Sequence, residues 1–282
     1  IRWQLLLAPI ARVSQRNVLY SISIGYLVNT VLPGRLGELA RVYILARLER
    51  LSVVAVLSTV AVDRILDIVV LALMLAAVLP TTDLPELVVQ SGLLVGTGGV
   101  ALLVVCLVLA YPAGQALFLR VLTMLPVFPG KAVAERWAGS MMAGMEGLRG
   151  IPAQLKVGAT SAAIWIVSVF IFYFAQMAFH IDAPLWAAVL VATVTNLGMV
   201  IPSSPGYVGV FHYLVVLALG VYGVEKELAL GYAVVLHVAE LLPLSIMGVY
   251  SLWRCGLSLM GWRELAQPRE GHAGAPGMGT NL

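Results

Sequence analysis

Ionisable side chains lie within apolar stretches of this 282-residue chain, at spacings that place several of them on one helix face. Asp63 and Asp67 share a face because they are one helical turn apart within a single apolar run. Arg64 is rotated by about 100° from Asp63 around such a helix, so it can reach a different partner. Because a charge at the centre of a bilayer costs at least about 2.5–3.5 kcal/mol, all three must be paired or hydrated. They either line a polar cavity or form structural ion pairs, for which the candidate partners are Arg35, Glu38 and Arg41.

Three further ionisable residues lie in the last third of the chain. His237 and Glu240 are three residues apart and face one side of a helix. His212 follows a break in the apolar sequence, where its imidazole could reach a lipid head group. With Asp63 and Asp67, these residues are candidates to line the polar cavity or to carry protons. The alternative for each is a helix-to-helix hydrogen bond or simple packing. No metal site is expected, because no compact set of His, Asp and Glu has ligand spacing.

Two segments place proline and glycine inside apolar sequence at corresponding positions near the two ends of the chain. Residues 29–38 read Asn-Thr-Val-Leu-Pro-Gly-Arg-Leu-Gly-Glu, and residues 196–209 read Asn-Leu-Gly-Met-Val-Ile-Pro-Ser-Ser-Pro-Gly-Tyr-Val-Gly. Inside a bilayer, each backbone group freed by such a break needs a partner that lipid cannot supply. Paired broken helices in two halves of a membrane protein are typical of a transport site. The alternative is a chance interruption of ordinary spanning helices, which tolerate proline and glycine.

The two breaks also predict an anion site. Helical arms that begin near Gly34 and Gly206 would aim positive N-terminal ends into the membrane interior, where they bind anions such as phosphate. Arg35 adds a guanidinium fork suited to phosphate. Glu38 is three residues from both Arg35 and Arg41, so it can pair with either and leave the other free. Replacing Pro205 and Gly206 by alanine is expected to extend the helix, stabilise the protein and abolish transport.

Asparagine and serine side chains at the breaks could hydrogen-bond to a ligand or to the released backbone groups. For the asparagines, backbone capping is at least as strong an interpretation as ligand contact. The predicted substrate-binding residues are Asn29, Pro33, Gly34, Arg35, Glu38, Arg41, Asn196, Ser203, Ser204, Pro205 and Gly206.

The composition is that of a membrane protein. Hydrophobic residues make up 61% of the chain, charged residues 11%, and the mean hydropathy is +0.97, whereas soluble domains carry about 25% charged residues. Two cysteines indicate neither a disulfide framework nor a cysteine metal site. No phosphate-binding loop of the G-x-x-x-x-G-K type is present, so the sequence predicts no nucleotide or other cofactor.

The apolar runs predict four spanning helices and two broken elements. The spans are 52–79, 88–111, 157–179 and 228–252, and the broken elements are 17–47 and 185–223. If the basic segments face the cytoplasm, every Lys and Arg except Arg64 and Lys226 lies on that side. Each broken element must then enter and leave on one side, the first on the cytoplasmic side and the second on the outer side.

The predicted fold class is therefore an all-α integral membrane protein. It is a multi-pass helical bundle with two oppositely oriented re-entrant hairpins forming an inverted repeat. The predicted organisation is a single transmembrane domain (1–263), with repeats at about 1–79 and 157–253, a cytoplasmic interfacial segment at 112–156 and a disordered tail at 264–282. The leading helix of the first repeat is expected to precede Ile1, with 1–10 as its inner end.

Three motifs resemble the flippase-like family, the transmembrane region of lysylphosphatidylglycerol synthases and their stand-alone relatives. Residues 29–41 are similar to the signature N-x-x-x-P-x-R-x-G-E-x-x-R, residues 63–67 to an acidic-Arg-x-x-Asp segment, and residues 202–211 to P-x-x-P-G-G-x-G-v-f. The resemblance covers about residues 2–255. Many relatives carry glutamate where His212 stands and glycine where Tyr207 stands. No aminoacyl-transfer domain follows Gly261, so lysine transfer to lipid is not expected.

The resemblance implies translocation of a lipid across the cytoplasmic (inner) membrane, with the C-terminus inside. Two substrate classes follow, an aminoacylated phospholipid or a polyprenyl-phosphate-linked glycan, and hopanoid-associated relatives keep a third class open. The alternatives are an intramembrane enzyme acting on a lipid phosphate and a membrane scaffold for a lipid or glycan synthase. A homodimer and a synthase or glycosyltransferase are candidate partners, and nucleic acid is not.

Overall fold

The structure, a computed structural model, describes residues 1–257 apart from 33–34, 83, 85, 125–130 and 201–202. All regular secondary structure in those residues is helical. The α-helices are α1 (Arg2–Leu7), α2 (Gln15–Val31), α3 (Gly37–Glu49), α4 (Val53–Val78), α5 (Glu86–Leu109), α6 (Pro112–Met124), α7 (Lys131–Met145), α8 (Ile151–Ala178), α9 (Leu185–Gly198), α10 (Val210–Gly220) and α11 (Lys226–Arg254). Single 3-10 turns are formed by Leu79–Thr81, Glu146–Leu148 and Pro205–Tyr207.

The four predicted spans correspond to α4, α5, α8 and α11. Of the described helices, three are long and apolar enough to cross a membrane, namely Val88–Leu109 within α5, Ile151–Ala178 and Lys226–Arg254. The remaining predicted span, α4, has 26 residues but carries Asp63, Arg64 and Asp67 near its middle. These charges remove it from the group of uniformly apolar helices. The predicted tail, 264–282, lies outside the described residues.

The first broken element forms two antiparallel helices, α2 and α3. Their crossing depends on two glycines, because a Cβ on Gly37 would lie 1.9 Å from the carbonyl oxygen of Gly25. At the open end of this hairpin, Glu49 Oε1 accepts hydrogen bonds from the backbone N–H of Ser14 at 2.9 Å and from Asn17 Nδ2 at 2.8 Å. Hydrogen bonds to the Glu49 side chain therefore hold the two helices together at the open end, and close backbone contact between Gly25 and Gly37 holds them together near the turn.

The second broken element forms α9 and α10, which pack against each other on either side of the Pro205–Tyr207 turn. The predicted interfacial segment contains α6 and α7.

Buried residues define two ends of the bundle. At the basal end, Val18 of α2, Leu45 of α3 and Val56 of α4 belong to one core cluster. At the apical end, Val78 of α4 packs in a second cluster with Ile181, which precedes α9, and with residues at the beginnings of α9 and α11. Because α4 begins in one cluster and ends in the other, it runs the length of the bundle between them.

Candidate functional site

A cavity of about 320 Å³ lies among α1, α2, α3, α4, α8 and α9. It brings together Arg41, Asp63, Arg64, Asp67 and Asn196, which sequence reasoning had placed in two separate sets. The remaining lining residues are Ile1, Arg2, Trp3, Ile22, Tyr26, Ile164, Trp165 and Ser168. We call this space the charged cavity.

The charged side chains of the cavity form a continuous ion-pair network. Arg2 binds both aspartates of α4, with Nε 2.8 Å from Asp63 Oδ1 and Nη1 2.8 Å from Asp67 Oδ1. Arg41 Nη2 lies 3.6 Å from Asp63 Oδ2. Arg64 Nη1 lies 3.2 Å from Asp67 Oδ2, and its Nη2 contacts Glu38. Asp63 and Arg64 therefore form ion pairs with different residues, as their angular separation on α4 predicts.

Glu38 pairs with Arg41 and Arg64, and this leaves Arg35 without an ion pair among the described residues. The Arg41 Nε and Glu38 Oε2 atoms are 2.8 Å apart without the alignment of a hydrogen bond, so this contact is electrostatic. Arg35 Nε is buried and has no hydrogen-bond partner in the described part of the chain. Arg35 also adopts a left-handed backbone conformation with φ of 58°. Near the first break, Arg41 is therefore ion-paired, whereas Arg35 has no ion pair among the described residues.

Most of the network is buried, although the side chains of Arg64 and Glu38 are 37% and 22% exposed, and the network is electrically balanced. Relative exposure is 7% for Arg2, 7% for Arg41, 6% for Asp63 and 9% for Asp67. Three arginines face three carboxylates, so the formal charge of the cluster is zero. Balanced pairing lowers the cost of holding these charges among apolar helices. Of the six paired groups, all except Glu38 also line the charged cavity.

Aromatic side chains position the charges. Trp165 Nε1 donates to Asp67 Oδ1 at 3.3 Å, and Trp3 Nε1 donates to Thr59 Oγ1 at 2.9 Å. The guanidinium carbon of Arg41 lies 5.1 Å from the centroid of the Trp3 ring, within the range of a cation–π contact. Sequence reasoning missed Arg2 and both tryptophans. The available signal for Arg2 was a single basic residue in the apolar segment 1–10.

The polar residues of the two breaks bind mainly backbone groups. Asn29 Oδ1 accepts the Gly37 backbone N–H at 2.7 Å, which caps the start of α3. Asn196 Nδ2 donates to the Ala192 carbonyl at 2.8 Å, although its side chain also borders the cavity. Ser204 Oγ donates to the Val208 carbonyl at 2.6 Å. Ser203 Oγ is buried without a partner in the described residues. Pro33 and Gly34 lie outside the described residues.

The second break contacts the end of α2, close to the first break. Gly206 has φ of 60°, and a Cβ placed on it would lie 3.5 Å from the Thr30 carbonyl oxygen. The expectation that alanines at Pro205 and Gly206 would stabilise the protein is wrong in sign for Gly206, because an alanine in this left-handed conformation is strained.

His212, His237 and Glu240 do not line the charged cavity. His237 is buried, with its ring stacked on Phe211 at 4.6 Å and edge-on to His212 at 4.9 Å. His212 Nδ1 accepts the Gly209 backbone N–H at 3.2 Å and so caps α10. Glu240 is half-buried, with no hydrogen bond or ion pair within the described residues. In the part of the chain that the structure describes, no group of three His, Cys or carboxylate side chains could hold a metal ion.

Comparison with known proteins supplies the family. A family model described as the lysylphosphatidylglycerol synthase TM region matches residues 1–248. The chain belongs to this family. Neither the curated proteins nor the solved structures searched give a match. The family and the apolar helices establish a membrane protein related to lipid handling.

Proposed function

We propose that this protein moves a phosphate-containing lipid across the cytoplasmic membrane, with the head group passing through the charged cavity. The observation that carries the proposal is a cavity of about 320 Å³ lined by paired arginines and carboxylates among apolar helices. A bilayer excludes a charged head group for the same reason that it excludes a bare side-chain charge. A polar space inside the helix bundle lowers that barrier.

The balanced network suits a head group that exchanges ion-pair partners. A phosphate can accept hydrogen bonds from an arginine in place of a carboxylate, and guanidinium groups bind phosphate in a bidentate manner. An amine on the same head group can take the carboxylate released by that exchange. An aminoacylated phospholipid would satisfy both requirements, and a polyprenyl-phosphate-linked glycan would use the phosphate contact alone.

Arg35 does not line the charged cavity and is the proposed first contact for the phosphate before it enters. Its Nε is buried and unpaired within the described residues, and Glu38 is already occupied by Arg41 and Arg64. A buried unpaired donor is costly, and an anionic ligand would remove that cost. Ser203 Oγ, which is also buried and unpaired in the described residues, is a second donor that a ligand could satisfy.

We further propose that the chain is an inverted repeat with two re-entrant hairpins. In this arrangement α1 corresponds to α8, α2 and α3 to α9 and α10, and α4 to α11. The helix contacts support this correspondence. The α2–α11 contact has its counterpart in α4–α9, the α1–α4 contact in α8–α11, and the α3–α4 contact in α10–α11. The first hairpin opens at the basal end and the second at the apical end, and Gly206 of one meets Thr30 of the other.

This topology is testable with single cysteines. Arg47→Cys, Arg149→Cys and Asp182→Cys are all at exposed positions, and they would be placed in a background lacking Cys106 and Cys255. An impermeant thiol reagent should label the first two only from the cytoplasmic side and the third only from outside. Labelling of all three from the same side would contradict the inverted repeat.

The transport proposal is tested with purified protein in liposomes that contain fluorescent phosphatidylglycerol. A membrane-impermeant quencher stays outside, so lipid that begins in the inner leaflet should be quenched only when active protein moves it to the outer leaflet. Mass spectrometry of the same liposomes separates the alternatives. Movement without a new lipid species supports a translocase rather than an enzyme, a new species indicates an enzyme, and neither result indicates a scaffold for a partner synthase.

No nucleotide-binding motif is present in the sequence, so uphill movement would depend on an ion gradient. Asp63, Asp67, His212, His237 and Glu240 are the proposed proton carriers. Dependence of transport on an imposed pH gradient across the liposome tests this role. Light scattering of the purified protein tests the proposed homodimer.

A further inference from the structure

An apolar groove of about 360 Å³ lies on the outer surface of α4, α8 and α9. Its lining includes Val70, Met74 and Ala77 of α4, Phe170 of α8, and Val189 of α9. We call it the lateral groove. Phe170 is 43% exposed, so the groove opens sideways and an apolar molecule in the bilayer could enter it without crossing the protein.

The lateral groove adjoins the charged cavity. Trp165 borders both spaces, and its indole N–H binds Asp67 from the wall between them. On α4, the cavity residues Asp63 and Asp67 and the groove residues Val70, Met74 and Ala77 follow the spacing four, three, four, three. That spacing keeps all five on one helix face, so the polar surface passes directly into the apolar one.

The ninth helix has the same arrangement in the opposite direction. Asn196 borders the cavity, whereas Val189 and Leu185 border the groove, and the intervals of seven and four residues again keep them on one face. Leu185 begins α9 near the apical end, and α4 ends there. The groove therefore runs from the charged cavity toward the apical end.

From these observations we infer that the lateral groove holds one acyl chain of the lipid whose phosphate occupies the charged cavity, an inference that rests on the proposed function. The distance from Asp67 to Ala77 along α4 is about 15 Å at 1.5 Å per residue. This is half of the roughly 30 Å hydrocarbon thickness of a bilayer, the depth that one acyl chain occupies in one leaflet. An amphipathic lipid needs a polar and an apolar site joined in this way.

A second apolar groove provides an internal comparison. It lies on the other side of α4, against α5, has a volume of about 400 Å³ and is lined by residues that include Leu73, Ala76 and Gly96. It is slightly larger than the lateral groove, and neither groove has a charged lining residue. The second groove, however, shares no lining residue with the charged cavity, whereas the lateral groove shares Trp165. The shared Trp165 and its contact with the ion-pair network, and not volume, therefore distinguish the lateral groove.

Neighbouring alanines of α4 give a matched pair of variants. Ala77 lines the lateral groove and Ala76 lines the groove against α5, and both are exposed. Ala77→Trp should fill the lateral groove, and Ala76→Trp should fill the other groove at the same depth. A second pair on α8 repeats the comparison. Ala162 lines the lateral groove, and the adjacent Ala163 is also exposed but borders neither groove.

Binding is measured by thermal shift and native mass spectrometry with two probes that share a head group, dioleoyl and dihexanoyl phosphatidylglycerol. Ala77→Trp and Ala162→Trp should weaken dioleoyl binding by about tenfold, the factor that corresponds to about two buried methylene groups. Binding of the dihexanoyl probe should not change. Ala76→Trp and Ala163→Trp should bind both probes as the wild type does.

Equal dioleoyl binding by the lateral-groove variants and their controls would overturn the inference. Equal weakening of both probes would also overturn it, because the groove would then be part of the head-group site. A change of oligomeric state without a change in lipid binding would assign the groove to a helix of a second copy. If the wild type shows the expected chain-length dependence but moves no lipid in liposomes, the proposed function fails and the acyl-chain site stands.

Discussion

Replacing Asp63 by asparagine removes one of the three carboxylates that balance three arginines in the ion-pair network, with almost no change in side-chain volume. Asp63 is 6% exposed and contacts Arg2 at 2.8 Å and Arg41 at 3.6 Å. In Asp63→Asn, Arg2 keeps Asp67 and Arg41 keeps Glu38, so the cluster retains its geometry but gains one net positive charge.

Removing one partner of a buried ion pair typically costs about 3–5 kcal/mol of unfolding free energy. We expect about 3 kcal/mol for Asp63→Asn, the low end of that range, because both arginines keep a second carboxylate. Adding Arg2→Met restores a neutral cluster of two arginines and two carboxylates. The double variant should therefore be more stable than Asp63→Asn alone by about 1.5 kcal/mol, because it no longer holds an uncompensated buried charge. Both variants should fail to transport lipid.

Equilibrium unfolding in mixed detergent micelles, followed by circular dichroism, measures these differences. Glu86→Gln is the control, because Glu86 is exposed and its carboxylate binds only Gln90 of the next turn among the described residues. It should change the unfolding free energy by less than about 0.5 kcal/mol. If Asp63→Asn matched this control, the cluster would be fully hydrated and would not hold the helices together. If the double variant were no more stable than Asp63→Asn, charge balance would not be the stabilising factor.

Substitutions at three further positions test the hairpins and the anion site. Arg35→Ala should abolish transport with little change in thermal stability, and Arg35→Lys should recover only part of the activity because lysine lacks the bidentate fork; equal losses of stability and activity would contradict phosphate contact. Gly37→Ala should prevent close packing of α2 on α3, because its Cβ would lie 1.9 Å from a backbone oxygen, and should lower the expression and melting temperature of the protein. The control is Gly158→Ala, whose Cβ meets no atom within 4 Å. It should be neutral or stabilise the protein by up to about 1 kcal/mol. Gly206→Ala should destabilise the protein by about 1–2 kcal/mol because of its left-handed backbone, and Gly220→Ala in the same unfolding assay should not; a stabilised Gly206→Ala protein would contradict the described turn.

The sequence by itself determined the helices and the need for buried pairing. Apolar runs of about 20 residues place α5, α8 and α11, because hydrophobic length and helix formation both depend on residues close together in the chain. The shared face of Asp63 and Asp67 follows from the helical period alone. The Pro and Gly positions likewise predicted that residues 17–47 and 185–223 would each form two helices rather than one.

Only the tertiary structure decided which charges meet. Arg2 binds Asp63 across 61 residues of sequence, and nothing local to either residue specifies that contact. The choice of Arg41 over Arg35 as the partner of Glu38 was open from spacing, because both lie three residues away. The cap of α10 also depends on the folded backbone. His212 accepts the Gly209 backbone N–H only because Gly209 adopts a left-handed conformation. Spacing along a helix determines the face on which a side chain lies. What that face contacts is determined by tertiary packing: α2 and α3 cross at Gly25 and Gly37, and α4 packs against both α3 and α9.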